Sequence, residues 1–484
     1  MNKILFISSE AFPLIKTGGL GDVAGSLPNA LLKKKQDIRL LLPAYPEVLG
    51  KLKKPIIRAS TSYYGQAVNI LECKLPGTEL TTWLVDCPSL YSRPGGPYTD
   101  QHGEPWHDNA LRFAVLCHAA TDIATNQLAL DWSADIVHAN DWQTGLVPAL
   151  FSLHSPRPAT VFTVHNLAYQ GLFDAETFFD LQLAESLWHF SGLEFYGQLS
   201  YMKGGLSYAD KITTVSPTYA EEICTPQFGY GLDGLLRYRE DDLEGILNGI
   251  DDTHWNPSKD HHLEQPFDQS SLDNKSANKL ALQKQLGLPV DQSIPMLGMV
   301  SRLVEQKGLN IILECLPLLA HQTLQIVILG TGELHYEIAL AEFAKQHPQL
   351  LSVTIGYNEA LAHKIEAASD MYLMPSSFEP CGLNQLYSLR YASLPVVNSV
   401  GGLADTVVHA NEENIKQGIA NGFVLENYSS AALFVAVEEA LVLYKKKKVW
   451  RQLQTNAMSC DHSWENSAVH YVNLYENLLK EKSI

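Results

Sequence analysis

The sequence has few cysteines, and their arrangement excludes two kinds of structural support. Seven cysteines are scattered through 484 residues, and no two of them form a Cys-x-x-Cys pair. Neither a disulfide framework nor a zinc ribbon is therefore indicated. Unpaired thiols in odd number are typical of a reducing compartment, and we expect the cytoplasm.

Long hydrophobic runs are also missing. No uninterrupted apolar segment approaches the ~20 residues that span a bilayer. Near the amino terminus only the stretch 4–8 is apolar in character. It is too short for the core of a signal peptide and favours a first strand. We expect no association with a membrane.

Basic residues are in the minority, since 35 Lys and Arg face 53 Asp and Glu and give a formal net charge of −18. Such a surface repels nucleic acid and anionic lipid, so neither is expected as a partner. No two aspartates stand at positions i and i+2, and HExxH and EF-hand patterns are absent. We expect no metal, so lysine and arginine would have to neutralise any bound diphosphate.

What is present indicates a globular α/β protein of two or three domains, because 484 residues exceed what one core usually supports. Short β-branched runs alternate with longer amphipathic stretches, which predicts βαβ units and parallel sheets. Predicted strands cover 3–8, 38–42, 82–86, 136–138, 160–165 and 211–215, then 296–301, 324–329, 353–356, 370–374 and 395–398. Predicted helices begin near residues 19, 108, 143, 217, 308, 333, 359, 382 and 402, and a last helix covers 464–480.

The two halves of the sequence resemble each other. A strand feeds a Gly-Gly-Leu segment at 18–22 and again at 401–405. This suits two nucleotide-binding-type sheets that face each other. The join is expected near 247–251, where a strand ends in a turn and a polar, Pro-containing stretch follows.

The first candidate site is the segment 16–23, between the opening strand and a helix. Paired glycines let a backbone approach a ligand closely, and the free amides of a helix start favour a phosphate. Lys16 would add a positive charge. A tight turn with an incidental surface lysine is the alternative. The segment is neither a Walker loop nor a GxGxxG fingerprint.

The second candidate is 300–308, again a strand that leads into a helix. Arg302 offers a bidentate fork for a diphosphate, and Lys307 adds a compact point charge. Both lie where open α/β sheets bind ligands, outside the carboxyl ends of strands. Two solvated cations on a loop are the alternative.

The third candidate is 374–383, where Pro380 follows Glu379 and a helix is predicted to begin at Gly382. Glu379 could accept hydrogen bonds from sugar hydroxyls, or it could simply compensate the helix dipole. Cys381 at a helix start could be suspected as a nucleophile. No sequence-local His–Asn pairing supports that role.

The fourth candidate consists of two successive strand ends that carry histidine and asparagine. His138, Asn140 and Asp141 follow one strand, and His165 and Asn166 follow the next. A single buried histidine is usually a satisfied core residue. Two similar strand ends in succession favour a site at the sheet edge.

Taken together, these segments resemble the family of bacterial glycogen synthases and plant starch synthases. The resemblance spans essentially the whole chain, and the motifs occur in family order. They are KTGGLGDV (16–23), HANDWQTGLVPAL (138–150), FTVHNLAYQG (162–171), LNGID (247–251), SRLVEQKGL (301–309) and EPCGLNQL (379–386).

The resemblance implies a GT-B fold, in which two Rossmann-like domains have parallel sheets facing across a deep cleft. The amino-terminal domain would cover 1–247 on the acceptor side and the donor-binding domain 248–460, with 461–484 as a helix returning to the first domain. It further implies a retaining glucosyltransferase that moves glucose from ADP-glucose to the non-reducing end of an α-1,4-glucan such as glycogen. ADP would be released, and no metal or pyridoxal phosphate is expected.

The resemblance also implies roles for individual residues. Diphosphate contacts would come from Lys16, Arg302 and Lys307, and sugar contacts from Glu379 and His165. The implied catalytic residues are His165, Lys307, Arg302, Glu379 and Asp141. The implied substrate-binding residues are Lys16, Gly18, Gly19, Asp22, Asn166, Asn248, Tyr357, Cys381, Gly382 and Leu383.

The implied mechanism is same-face attack through an oxocarbenium-like state, in which the leaving phosphate takes the acceptor proton. Such a reaction needs electrostatic stabilisation more than a general base. Three alternatives stay open at this point. They are a UDP-glucose-using synthase, a pyridoxal-phosphate-dependent phosphorylase of similar fold, and a catalytically inactive glucan-binding scaffold.

Overall fold

The computed structural model describes residues 2–482, and these residues form two compact units. The first unit runs up to Gly249 and takes up the chain again at Trp464, and the second is Ile250–Ser463. The division after Gly249 lies two residues beyond the join predicted at 247/248. The second unit ends at Ser463, three residues after the end predicted from the sequence at 460.

Each unit is built on a sheet whose strands we number in chain order. The first unit contains β1 (Lys3–Ile7), β2 (Asp37–Pro43), β3 (Ile56–Tyr63), β4 (Gln66–Lys74), β5 (Thr81–Asp86), β6 (Ile136–Asn140), β7 (Ala159–Val164), β8 (Leu172–Asp174), β9 (Glu194–Phe195), β10 (Gln198–Ser200), β11 (Lys211–Thr214) and β12 (Leu243–Gly245). The second contains β13 (Met296–Val300), β14 (Gln325–Gly330), β15 (Leu351–Ile355), β16 (Met371–Met374), β17 (Leu394–Val397) and β18 (Phe423–Val424).

Helices connect these strands. In the first unit they are α1 (Gly19–Lys33), α2 (Pro46–Gly50), α3 (Pro88–Tyr91), α4 (Asn109–Ala124), α5 (Leu146–Phe151), α6 (Ala175–Asp180), α7 (Tyr201–Tyr208), α8 (Pro217–Glu222) and α9 (Asp233–Tyr238). In the second they are α10 (Lys275–Leu286), α11 (Leu309–Leu319), α12 (Leu334–Gln346), α13 (Glu359–Ala368), α14 (Asn384–Arg390), α15 (Gly401–Thr406), α16 (Glu412–Gln417), α17 (Ser430–Tyr444) and α18 (Lys447–Ser459). The last helix, α19 (Trp464–Lys482), belongs to the first unit, and single 3₁₀ turns occur at Trp142–Thr144, Glu185–Leu187, Glu240–Asp242, Gln269–Asn274 and Glu305–Lys307. Across the described residues, no helix combines the length and the apolar character needed to cross a bilayer.

The main sheet of the first unit has the strand order β12-β11-β7-β6-β1-β2-β5-β4-β3. Strands β12 to β5 in this order pair in parallel. Their apolar residues form near-continuous runs because helices cover both faces, and the side chains of β1 from Ile4 to Ile7 are fully buried. The chain leaves β1 to one side towards β2, and β6 lies on its other side. The carboxyl ends of β1 and β6 therefore form a topological switch point, where such sheets bind ligands.

The sheet of the second unit is entirely parallel, with the order β15-β14-β13-β16-β17-β18. Strands β13, β14 and β15 progress in one direction, and β16 returns to the other side of β13. The switch point of this sheet therefore lies at the carboxyl ends of β13 and β16. These are the strands that lead into the predicted sites around Lys307 and Glu379.

Two antiparallel features depart from the predicted parallel pattern. Strands β3 and β4 form a hairpin that extends the first sheet antiparallel to β5. Strands β8, β10 and β9 form a separate small antiparallel sheet. None of these strands was predicted, because the predictions depended on buried apolar runs and β3 is largely exposed.

The terminal helix α19 packs against α1 of the first unit. The hydroxyl of Tyr475 lies 2.7 Å from Nδ1 of His138 on β6, and Lys482 forms an ion pair of 2.9 Å with Asp210. Tyr471 and Leu478 on the same helix are buried. These contacts attach the end of the chain to the sheet that begins it.

Candidate active site

The glycine loop after β1 is held by a buried carboxylate. The backbone N–H and hydroxyl of Thr17 both donate to Glu10, the hydroxyl at 2.8 Å, and the N–H of Gly18 donates at 3.3 Å. The hydroxyl of Tyr98 donates to the same carboxylate at 2.8 Å. Burial raises the pKa of Glu10, although these hydrogen bonds act in the opposite direction. Glu10 thus fixes the loop that carries the predicted phosphate-binding residues.

Lys16 lies in this loop and forms an ion pair of 2.7 Å with Asp22 in the first turn of α1. The Lys16 side chain is 41% exposed, so its ammonium group is accessible to a ligand. Helix α1 begins at Gly19 as predicted, and Gly18 is its extended N-cap. Gly18 has no side chain that could cap this helix start, so the first amides of α1 depend on other acceptors.

Asp141 and His165 follow the neighbouring strands β6 and β7 and are joined through the backbone. Asp141 Oδ1 accepts hydrogen bonds from the N–H of His165 at 2.8 Å and of Asn166 at 3.4 Å. Burial raises the pKa of Asp141 to about 7 despite these two bonds. The backbone φ of Asp141 is 57°, in the left-handed region that a non-glycine residue seldom adopts. Such strain is concentrated at functional sites.

His165 is a neutral imidazole at physiological pH, because burial lowers its pKa to about 3. Its Nε2 lies 2.9 Å from the side-chain oxygen of Asn140, so Nε2 carries the proton and donates. A histidine that titrates so low is a weak proton acceptor. The geometry therefore favours a hydrogen-bonding and positioning role over general-base catalysis.

His138 differs from His165, although both occupy strand ends. Its Nδ1 bonds to Tyr475 and its Nε2 lies 2.6 Å from the hydroxyl of Thr163, so both ring nitrogens are satisfied inside the core. Asn166 uses its side-chain oxygen to accept the N–H of Ala168 at 3.0 Å. The two histidine-bearing strand ends thus contribute one site candidate and one structural histidine.

Asn248 lies just before the division between the units. It is buried, and within the described residues its side-chain oxygen has no hydrogen-bond partner. Leaving a buried acceptor unsatisfied costs about 1–3 kcal/mol. Such a cost is consistent with a ligand-binding position, which is the role predicted for Asn248.

An aromatic groove of about 500 Å³ lies on the first unit. Gly171 in its lining has φ of 57°, and a Cβ there would meet the Trp142 ring at 2.3 Å. The remaining aromatic walls are Tyr169, Phe195 and Tyr230. The groove was not predicted, although the motif at 162–171 contributes part of its lining.

In the second unit, the loops after β13 and β16 meet at the switch point through an ion pair. Lys307 Nζ lies 2.5 Å from Glu379 Oε2, and the hydroxyl of Ser376 donates to the same oxygen at 2.9 Å. The side chains of Lys307 and Glu379 are only 17% and 9% exposed. Two residues separated by 72 positions are thus brought together at the predicted ligand-binding edge.

Further contacts tie the same two loops together. The N–H of Ser377 donates to the carbonyl of Gln306 at 2.9 Å, and Gln306 Nε2 donates to the carbonyl of Phe378 at 2.8 Å. Gly308 has φ of 79°, and a Cβ there would meet the Pro375 carbonyl oxygen at 2.4 Å. Arg302 remains exposed, with one guanidinium nitrogen 3.4 Å from Gln306 Oε1. The two loops are therefore held together beside an exposed cation.

The helix predicted to begin at Gly382 begins at Asn384 instead. Gly382 adopts the left-handed conformation with φ of 72°, which interrupts the helical path, and Leu383 is the N-cap. Gln385 Nε2 donates to the carbonyls of Cys381 at 2.9 Å and Gly382 at 3.0 Å. The side chain of Gln385 therefore fixes the backbone of the turn that carries Cys381 and Gly382.

Tyr357 lies in the loop between β15 and α13 and is 84% exposed. Asn358 caps α13 by accepting the N–H of Leu361 at 3.0 Å, which fixes the backbone immediately after Tyr357. The tyrosine therefore projects from a capped turn. This placement is compatible with the predicted stacking on a base.

Comparison with known proteins decides the family. Residues 3–238 match the model described as starch synthase catalytic domain, and 281–456 match glycosyl transferases group 1. A protein named glycogen synthase from Cellvibrio japonicus is 54% identical, and the match covers 99% of this chain and 100% of that protein. One named glycogen synthase 1 from Methylococcus capsulatus is 52% identical, and the match covers 99% of this chain and 97% of that protein. The chain belongs to the glycogen synthase and starch synthase family.

A solved structure extends the family match to three dimensions. The catalytic domain of starch synthase IV from Arabidopsis thaliana, bound to ADP and acarbose, is 31% identical, with a TM-score of 0.88 and 99% of each chain covered. The GT-B fold class is thereby confirmed, as is the assignment to the glycosyltransferases. The structure brings Lys307 next to Glu379, and Asp141 next to His165 and Asn166.

Several residues that shape these sites were not predicted. Glu10, Tyr98, Ser376 and Gln306 all support site loops through hydrogen bonds. A weak signal existed for Ser376, which stands three residues before Glu379 in the candidate segment 374–383. No sequence pattern connects Tyr98 with Glu10, since 88 positions separate them.

Proposed function

We propose that this member of the glycogen synthase family transfers glucose from ADP-glucose to the non-reducing end of an α-1,4-glucan, with retention of configuration and release of ADP. The observation that carries the proposal is the buried group formed by Lys307, Glu379 and Ser376 at the switch point of the second sheet. It combines a cation for a leaving diphosphate with a carboxylate that can accept sugar hydroxyls.

The departing diphosphate sets the electrostatic requirement. Within the second unit, Lys307 supplies a largely desolvated charge and Arg302 an exposed planar fork five residues earlier. The turn at Cys381, Gly382 and Leu383 supplies backbone amides. One preorganised group of this kind contributes about 2.7–4 kcal/mol to stabilising a developing charge. These residues therefore supply the stabilisation that the overall acidic protein otherwise lacks.

In the first unit, the roles of Lys16, Gly18, Gly19 and Asp22 in binding the donor stay predictions. The accessible ammonium group of Lys16 and the uncapped start of α1 support them. The ion pair with Asp22 would hold Lys16 in place before the ligand arrives. Glu10, which holds the loop, is a positioning residue in this proposal.

The proposed reaction uses no protein base. Since His165 is neutral and its Nε2–H is directed to Asn140, we assign it to contact the reacting sugar without taking a proton. Asp141 acts by positioning His165 and Asn166, because its carboxylate accepts hydrogen bonds from the backbone N–H groups of both residues. The acceptor proton passes to the leaving phosphate oxygen as the new glycosidic bond forms. No metal ion and no pyridoxal phosphate are required by this scheme.

We assign the glucan to the aromatic groove of the first unit. Tyr169 and Tyr230 are about half exposed and offer flat apolar faces, which suit the faces of glucose rings. Asn166 stands at the end of β7, shortly before Tyr169 in the chain. We place the reaction in the cytoplasm, since no disulfide joins any two of the seven cysteines, all of which lie in the described residues.

The decisive experiment measures nucleoside diphosphate release from ADP-glucose and UDP-glucose, each with and without glycogen. We expect ADP release that depends on glycogen, with new α-1,4 linkages visible by NMR. Preference for UDP-glucose would overturn the donor assignment. Release of neither nucleotide, with glycogen binding retained, would make the chain a glucan-binding scaffold. Full activity after dialysis against a chelator is the expected result for a metal-free reaction.

A further inference from the structure

A cluster of histidine and carboxylate groups lies in the second unit outside the residues assigned to the reaction. His254 follows the start of that unit, and Glu359 and His363 lie on α13. Each of the three side chains offers one nitrogen or oxygen atom, and these three atoms all lie within 4.8 Å of one another. Glu359 and His363 are four residues apart, so they share one face of the helix. His254 is brought to that face by the fold.

His363 is buried and held in the orientation of a metal ligand. Its Nδ1 lies 2.7 Å from Asp260 Oδ2, so Nδ1 carries a proton, and in the neutral tautomer that this bond selects Nε2 has a free electron pair. Within the described residues, this buried Nε2 has no hydrogen-bond partner. Metal-binding histidines characteristically donate their other ring N–H to a carboxylate.

The surroundings of His363 fix its ring further. Asp260 also accepts the hydroxyl of Tyr391 at 2.7 Å, so the carboxylate is itself held. The indole of Trp255 stacks on the His363 ring at 3.9 Å with an interplanar angle of 5°, and Tyr387 stacks on Trp255 at 4.0 Å. A ring this constrained loses little entropy when it binds an ion.

The other two groups are more accessible. His254 Nε2 lies 2.9 Å from Glu359 Oε1, and their side chains are 33% and 41% exposed. Two ligands of one tetrahedral ion, each about 2.0–2.1 Å from it, lie roughly 3.4 Å apart. The observed separations of 2.9 Å and at most 4.8 Å need adjustments on the order of 1 Å. The exposed pair also provides a path for the ion to enter.

We propose that His254, Glu359 and His363 bind one divalent transition-metal ion of the kind that prefers imidazole, such as Zn²⁺. Two imidazoles and one carboxylate are a common three-ligand set for this ion, with a fourth position left for water. The bound ion would fasten the first segment of the second unit to helix α13. No contiguous motif in the sequence indicates this site, because 105 positions separate His254 from Glu359.

The test is Zn²⁺ binding to the chelator-stripped full chain, measured by isothermal titration and by competition with a chromophoric chelator. We expect one site in the unmodified protein. His254→Ala and Glu359→Gln should each weaken binding by at least about tenfold, as should Asp260→Asn through the orientation of His363. The matched control is His335→Ala, which removes an exposed histidine 3.6 Å from Glu333 and should leave the affinity unchanged.

Circular dichroism of each variant distinguishes loss of ligand from loss of fold, and the partial exposure of His254 and Glu359 makes their replacement mild. Co²⁺ substitution adds a readout, because its visible spectrum should report low-coordinate nitrogen and oxygen ligation and should disappear in His254→Ala. Equal Zn²⁺ affinity in the unmodified protein, His254→Ala and Glu359→Gln would overturn the proposal, as would the absence of any site. None of these measurements depends on catalytic turnover, so the outcome is independent of the proposed function.

Discussion

Replacing Lys307 with methionine removes the cation beside Glu379 while keeping much of the side-chain volume. If Lys307 stabilises the departing diphosphate, its loss should lower kcat about 10²–10³-fold, which corresponds to the 2.7–4 kcal/mol of one preorganised electrostatic group. KM for ADP-glucose should change less, because the effect is greatest where charge develops in the transition state.

The same substitution should also lower the free energy of unfolding. The Glu379 side chain is only 9% exposed and would lose its cation. Among the side chains of the described residues, the Ser376 hydroxyl would then be its remaining hydrogen-bond donor. Breaking a buried ion pair by removing one partner costs about 3–5 kcal/mol. We place this case at about 3 kcal/mol, since Ser376 and partial solvent access at Lys307 relieve part of the cost.

Lys279 provides the matched control. It forms an ion pair of 2.6 Å with Asp370 in the same unit, and the two side chains are 4% and 9% exposed. Lys279→Met should therefore lower the unfolding free energy by a similar amount but leave kcat of the folded enzyme nearly unchanged. The assay is initial-rate ADP release at saturating glycogen, with urea unfolding measured in parallel. A kcat within threefold of the unmodified enzyme in Lys307→Met, or an equal loss of kcat in Lys279→Met, would refute the assignment.

Three further predictions concern the first unit. Glu10→Gln should raise KM for ADP-glucose about tenfold, because the Gln amide places N–H groups where the carboxylate accepts bonds from the glycine loop; an unchanged KM would remove Glu10 from loop positioning. As pH rises from about 4 to about 7, the free energy of unfolding of the unmodified protein should fall relative to that of Asp141→Asn. The reason is that folded Asp141 keeps its proton up to a pKa of about 7, whereas the unfolded chain releases it near 4. Urea unfolding at several pH values tests this, and a constant difference would contradict it. Tyr169→Ala should raise KM for glycogen with KM for ADP-glucose unchanged, and Tyr238→Ala, which alters a tyrosine 84% exposed and outside the groove, should change neither value.

The local elements of both sheets could be predicted from the sequence. Strands β1 and β7 are apolar runs rich in β-branched residues, because parallel sheets bury both faces of their strands. The start of α1 at Gly19 followed from the glycine pair after the first strand. The family motifs also lie within contiguous segments, so the resemblance could be read from the sequence and was confirmed by relatives along the whole chain.

Only the tertiary structure decided which loops lie together. Strand order places the ends of β13 and β16 side by side, and this adjacency pairs Lys307 with Glu379 across 72 positions. The same holds for Glu10 with Tyr98, whose contact has no signature in local periodicity. Local sequence encodes φ, ψ preferences and buried faces, but partners far apart in the chain are chosen by sheet topology and packing. That is why the sequence alone identified the segments that carry the chemistry, whereas the partners of their side chains were visible only in the folded chain.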